Sequence, residues 1–78
     1  MTKEKLYEII QSALNIESLS LSESMDNLDE WDSLAQLEII INIDKETDGK
    51  ASRIPELAVA NSVEKLSEIL DSNDLFSA

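Results

Sequence analysis

Glu30-Trp31-Asp32-Ser33-Leu34-Ala35-Gln36-Leu37 is the stretch on which the reading of this chain turns. Before it, residues 15–32 hold no sustained helical pattern. After it, apolar residues recur at helical spacing to about Thr47. A serine followed three residues on by glutamine, as in Ser33-Leu34-Ala35-Gln36, has the spacing of a capping box, in which each side chain satisfies a backbone N–H of the first turn. The stretch therefore predicts a loop-to-helix junction with Ser33 as the cap. It also leaves a serine hydroxyl within reach of solvent, where the unpaired amides of a helix start favour negative charge. A phosphodiester on that oxygen would sit in a suitable field. The neighbouring Asp32 can cap the helix as well, or help to position the metal of an enzyme that attacks Ser33.

Working outward, the helix that Ser33 opens is expected to carry an apolar stripe of Leu34, Leu37, Ile40 and Ile41. Ala35, Ile39 and Ile43 widen that stripe enough to leave some apolar side chains near the surface. Asp48-Gly49 ends it, with Gly49 suited to a left-handed cap. On the N-terminal side, Leu6, Ile9, Ile10, Ala13 and Leu14 recur at i, i+3, i+4, i+7 and i+8, which predicts a helix from Thr2 to Leu14 capped by Thr2. Between the two lies a serine- and asparagine-rich segment whose side chains compete for backbone hydrogen bonds. Ile16, Leu19, Leu21, Met25 and Leu28 are spaced through it as anchors, so it reads as a long ordered loop of the kind that is often functional. On the C-terminal side, Lys50 to Ile54 reads as loop and Pro55 opens a short helix to about Val59. Asn61 or Ser62 caps a last helix with a stripe of Val63, Leu66, Ile69 and Leu70. The tail, residues 71–78, is expected to fray.

Composition bounds what such a molecule does. With 78 residues, the chain is read as one domain, and a domain this small has little interior to spare for a substrate pocket. It has no cysteine and no histidine, which removes thiolate nucleophiles, imidazole bases and the usual zinc sites. A hydrolase built on Ser33 would lack its base, so no catalytic residue is assigned and the chain is read as a non-enzyme. Six Lys+Arg against seventeen Asp+Glu leave a formal net charge of −11. That charge repels phosphate backbones and anionic membranes and steers basic protein partners toward the chain. Asp44 to Gly49 begins like a calcium-binding loop, but its twelfth position holds Pro55 where a bidentate glutamate belongs, so no metal is assigned. No stretch has the length of a membrane span, and the expectation is a cytoplasmic monomer.

The order of elements and the residues around Ser33 resemble the acyl carrier protein family. The resemblance runs from about Leu6 to Leu70 and rests on Asp32-Ser33-Leu34, on the apolar and acidic helix that comes after them, and on Ser62-Val63 opening a closing amphipathic helix. It implies an all-α, four-helix bundle with three main helices, a short third helix and a long first loop. It also implies that Ser33 carries a covalent 4′-phosphopantetheine arm derived from coenzyme A. By the same resemblance, Asp32 is the aspartate presented to the phosphopantetheinyl transferase. Leu34 and Ile41 are apolar positions that face partners, and Glu38 and Asp44 are acidic positions on the recognition helix. The partners implied are acyl ligases, ketosynthases or acyltransferases with basic docking faces, and the thiol of the arm would hold acyl groups as thioesters.

Several positions depart from the housekeeping members of that family. Trp31 stands where they usually have a small residue, which would alter the surface that partners read; its other role is to cover the bundle end and pin the loop. Ala35 and Lys45 replace acidic residues. Thr47 falls where many members have a large aromatic, and Ile54-Pro55 comes a few residues late. These differences fit a specialised carrier of lipid, polyketide-like or surface-glycan acylation rather than the housekeeping fatty-acid role. A reading from a different class is an unmodified acidic helical adaptor that binds protein partners through its second helix.

Overall fold

The computed structural model describes residues 1–76, and the chain there is all-helical: α1 Lys3–Leu14, α2 Ser33–Glu46, α3 Pro55–Ala58 and α4 Val63–Ser72. A single 3₁₀ turn, Ala51–Arg53, lies between α2 and α3. α1 forms where expected. The Thr2 hydroxyl accepts the Lys5 N–H at 3.1 Å, and Leu6, Ile9, Ile10 and Leu14 are buried along one face. Three helices close in the same way, with a side chain that tolerates left-handed backbone just past the end. Asn15 (φ 56°) closes α1, Asp48 (φ 54°) closes α2 and Asp74 (φ 56°) closes α4. After α2, Asp48 enters the left-handed region first and Gly49 comes next at φ 82°, its N–H bonded to the Asp44 carbonyl at 2.9 Å. The left-handed cap expected at Gly49 therefore begins one residue earlier.

The core takes only part of the broad apolar stripe of α2. Ala35, Ile39 and Ile43 are buried, and Thr47 continues that row under the bundle. Leu34, Leu37 and Ile41 are exposed, and only Ile40 of the expected stripe packs partly against the core. Both sets have helical spacing, so periodicity alone could not rank them. The smaller Ala35 at the head of the buried row lets α2 approach its neighbours at that end. Thr47 is the one buried polar side chain among the described residues. Its hydroxyl donates to the Ile43 carbonyl at 2.8 Å and accepts the Ala51 N–H at 3.2 Å, so its burial leaves no orphaned group.

The long segment between α1 and α2 is ordered. Ile16, Leu19, Met25 and Leu28 pack against the core, whereas Leu21 points outward and is no anchor. A second attachment is main-chain. Ser24 and Ser62 form an isolated antiparallel bridge, in which the Met25 N–H meets the Asn61 carbonyl at 2.9 Å and the Val63 N–H meets the Glu23 carbonyl at 3.1 Å. This bridge ties the first loop to the start of α4. There, Ser62 rather than Asn61 is the cap, its hydroxyl accepting the Lys65 N–H at 3.1 Å.

α1 packs on α2, α2 on α3 and α3 on α4 around one apolar cluster that includes Trp31, Leu57, Ala60, Leu66 and Leu70. The tail expected to fray from about residue 71 holds defined contacts up to residue 76. α4 continues to Ser72, the Asp74 and Leu75 amides close it on the Asp71 and Leu70 carbonyls, and Leu75 and Phe76 pack partly on the core. The hydrophobic contact that accompanies a left-handed helix end supplies the reason. Residues 77 and 78 of that expectation lie outside the described residues. Among the described residues, no helix is long and apolar enough to cross a membrane.

Candidate functional site

Ser33 opens α2 as its first helical residue, not as its cap. Asp32 is the cap: its backbone is extended, its carboxylate accepts the Ala35 N–H at 2.9 Å, and its carbonyl accepts the Gln36 N–H at 2.9 Å. The Gln36 N–H is the group that a Ser33 cap would have needed, so the expected capping box does not form. Asp and Ser are near-equal caps, and the partners that each register gives Trp31 and Gln36 decide between them. With Asp32 as cap, Gln36 comes to the fourth helical position and Trp31 to the residue before the cap, a pair of positions that meet across a helix start.

That meeting is polar here. Trp31 is 1% exposed, and its indole N–H donates to the Gln36 side-chain oxygen at 2.7 Å. The Gln36 amide nitrogen in turn donates to the Ala60 carbonyl at 2.9 Å and more weakly to the Ala58 carbonyl at 3.4 Å. Trp31 is thus core, in its expected role of covering the bundle end, and its alternative reading as a residue that partners meet on the surface is corrected: an indole that large covers more apolar area by packing than by facing water. Gln36 is legible in the sequence only as half of a capping box. A tryptophan just before a cap, needing a partner for its N–H once buried, is the signal that points to its actual role.

The Ser33 side chain is exposed. No hydrogen bond of the described residues engages its hydroxyl, since the cap bond belongs to Asp32. Around it the remaining site residues divide. Leu34, Glu38 and Ile41, at i, i+4 and i+7, share one outward face of α2 with Leu37. Leu34 is 78% exposed and Ile41 45%. Asp44 is set apart: half-buried, its carboxylate accepts the Ser52 N–H at 3.0 Å, and so it braces the turn after α2.

Charge is segregated along the chain. No Lys or Arg lies between Lys5 and Lys45, so the whole first loop and nearly all of α2 carry carboxylates alone. Asp29, Glu30, Asp32 and Glu38 are all exposed near Ser33. At the other end of α2, Lys5 lies 3.9 Å from Glu8 and 3.6 Å from Glu46. Two clefts among the described residues lie toward that other end. The larger, about 360 Å³, runs between α1 and the C-terminal half of α2 and is lined by Lys5, Glu8, Ser12, Asn42 and Lys45 among others.

Comparison with known proteins returns no match, whether with protein families, with curated sequences or with solved structures.

Proposed function

We propose that this chain is a carrier of the acyl carrier protein type, holding a 4′-phosphopantetheine arm on Ser33 and presenting thioester-bound acyl groups to partner enzymes. One observation supports the reading above the others: an exposed serine hydroxyl, free of any cap bond, stands at the first position of a helix beside an aspartate that has taken over the capping. Ser33 is thereby free to be modified without unmaking the helix start. The residues fit the group. The helix start favours the negative charge of a phosphodiester, and the oxygen that would bear it is open to solvent. Loading joins Ser33 Oγ to the phosphorus of the pantetheine phosphate of coenzyme A and breaks its pyrophosphate bond; adenosine 3′,5′-bisphosphate leaves, and the hydroxyl proton passes to the transferase. Once bound, the arm supplies a thiol, which the chain itself lacks.

The outward Leu34, Leu37 and Ile41 with Glu38 offer partners an apolar strip edged by acid, suited to enzymes with basic docking faces. The other departures from housekeeping carriers, Ala35 and Lys45 in place of acidic residues and the rebuilt stretch around Thr47 and Ile54-Pro55, favour a specialised pathway of lipid, polyketide-like or surface-glycan acylation. The same strip also favours the unmodified adaptor, and one experiment separates the two. Incubation of the purified protein with a broad-specificity phosphopantetheinyl transferase and coenzyme A is expected to add one phosphopantetheine, mapped by peptide mass spectrometry to Ser33 and absent in Ser33→Ala. A wild-type chain that gains no mass rejects the carrier reading and leaves the adaptor.

A further inference from the structure

We propose that Trp31 and Gln36 form a positioning relay that holds Ser33 in one place against the α3–α4 connector, and that the enzyme modifying Ser33 depends on this hold. The inference rests on the carrier reading of Ser33. Ser33 lies between the two residues in sequence, so the hydrogen bond from the Trp31 indole to Gln36 closes a loop of backbone around it. From Gln36 the relay crosses to the carbonyls of Ala60 and Ala58. Among the described residues, these are the only hydrogen bonds that tie the first turn of α2 to another element.

The connector they reach is itself held, because Asn61 and Val63 bond to Met25 and Glu23 of the first loop. Three segments therefore meet through one side-chain amide: the start of α2, the α3–α4 connector and the long loop. Each link is needed. A buried indole N–H without a partner is costly, and Gln36 satisfies it only while its own amide N–H groups face the connector. A glutamine that accepts from one side and donates to the other fits this geometry, whereas a carboxylate or a hydrocarbon of the same length would break one link or both. Trp31 and Gln36 act through the backbone of Ser33 and make no hydrogen bond to the reacting oxygen, so they are positioning residues.

The relay is cut at two different links by Trp31→Phe, which removes the indole donor, and by Gln36→Glu, which keeps an acceptor for the indole but sets a carboxylate against the Ala60 carbonyl. Both full-length variants and the double variant are compared with wild type in initial rates of phosphopantetheine transfer from coenzyme A, with helical content checked by circular dichroism. Exchange of the indole N–H and of the α2 amides is monitored by NMR. Each single variant is expected to lose about tenfold in kcat, within the roughly 100-fold that a 1 Å misplacement costs, with KM little changed. The double variant is expected to be no slower than the slower single one, because both cuts sever one relay. The indole N–H is expected to be protected in wild type and to exchange faster in Gln36→Glu. Wild-type kcat in folded single variants, losses that multiply in the double variant, or a wild-type indole that exchanges like free tryptophan would each overturn the proposal. If the wild-type chain takes no group on Ser33, the carrier reading alone is refuted, and the hold on the first turn is then decided by the exchange data.

Discussion

Replacing Asp32 with alanine removes the side-chain acceptor at the start of α2, while replacing Ser33 with alanine removes a hydroxyl bonded to nothing among the described residues. The two substitutions sit side by side, and their costs should be opposite to those of a serine-capped helix. Loss of the bond from the Ala35 N–H to Asp32, 2.9 Å long, is expected to cost about 1 kcal/mol, the usual worth of an N-cap. For a domain of this size, that lowers the melting temperature by about 4–8 °C. Ser33→Ala at an exposed first helical position should stay within about 0.5 kcal/mol of wild type. One complication works the other way: Asp32→Ala also removes a negative charge from a chain of net −11, which relieves self-repulsion. Asp32→Asn separates the terms, because asparagine caps about as well as aspartate without the charge; it should stay within about 1 kcal/mol of wild type, the lost attraction of the helix start for negative charge opposing the relieved self-repulsion. Urea unfolding monitored by Trp31 fluorescence measures all three, since Trp31 is the single tryptophan and lies in the core. If Ser33→Ala proves as costly as Asp32→Ala, the assignment of the cap to Asp32 is wrong, and with it the argument that Ser33 is free for modification.

Two further substitutions test the rest of the fold. Ile39→Ala, in the buried row of α2, should cost about 2–5 kcal/mol, while Leu34→Ala on the outward face should change stability by less than about 0.5 kcal/mol; paired urea melts reading the reverse would restore the other stripe as the core. Thr47→Val keeps the shape but leaves the buried Ala51 N–H without its acceptor, an expected loss of about 1–3 kcal/mol that thermal melts should detect, and a neutral result would mean that this bond contributes nothing.

Much of the architecture is legible from local signals. α1 with its Thr2 cap, the short helix opened by Pro55, the closing helix from Ser62 and the anchored loop between α1 and α2 all come from capping side chains, apolar spacing and the positions of proline and glycine. These features act over a few residues, so a linear reading can find them. The same signals put Ser33 at the head of α2, whereas Glu38 was expected on a different face from Leu34 and Ile41, and the fold exposes all three together.

What a linear reading could not rank is any choice between neighbours of equal local merit. Ser33 and Asp32 are comparable caps, and Asp32 prevails because that register brings Gln36 to the Trp31 indole and to the Ala60 carbonyl 24 residues away. Leu34-Leu37-Ile41 and Ala35-Ile39-Ile43 are comparable helical stripes, and the second is buried because of where α1, α3 and the loop meet α2. Trp31 is expected to pack, but which elements close over it depends on how the bundle end assembles. In each case the alternatives differ little in local energy, and the burial of one indole and the satisfaction of its single N–H, both set by residues distant in sequence, decide between them. The sequence by itself determined that this is a small, acidic, all-helical chain with a serine at the start of its second helix. Only the tertiary packing left that serine unbonded and turned Leu34 and Ile41 outward beside it.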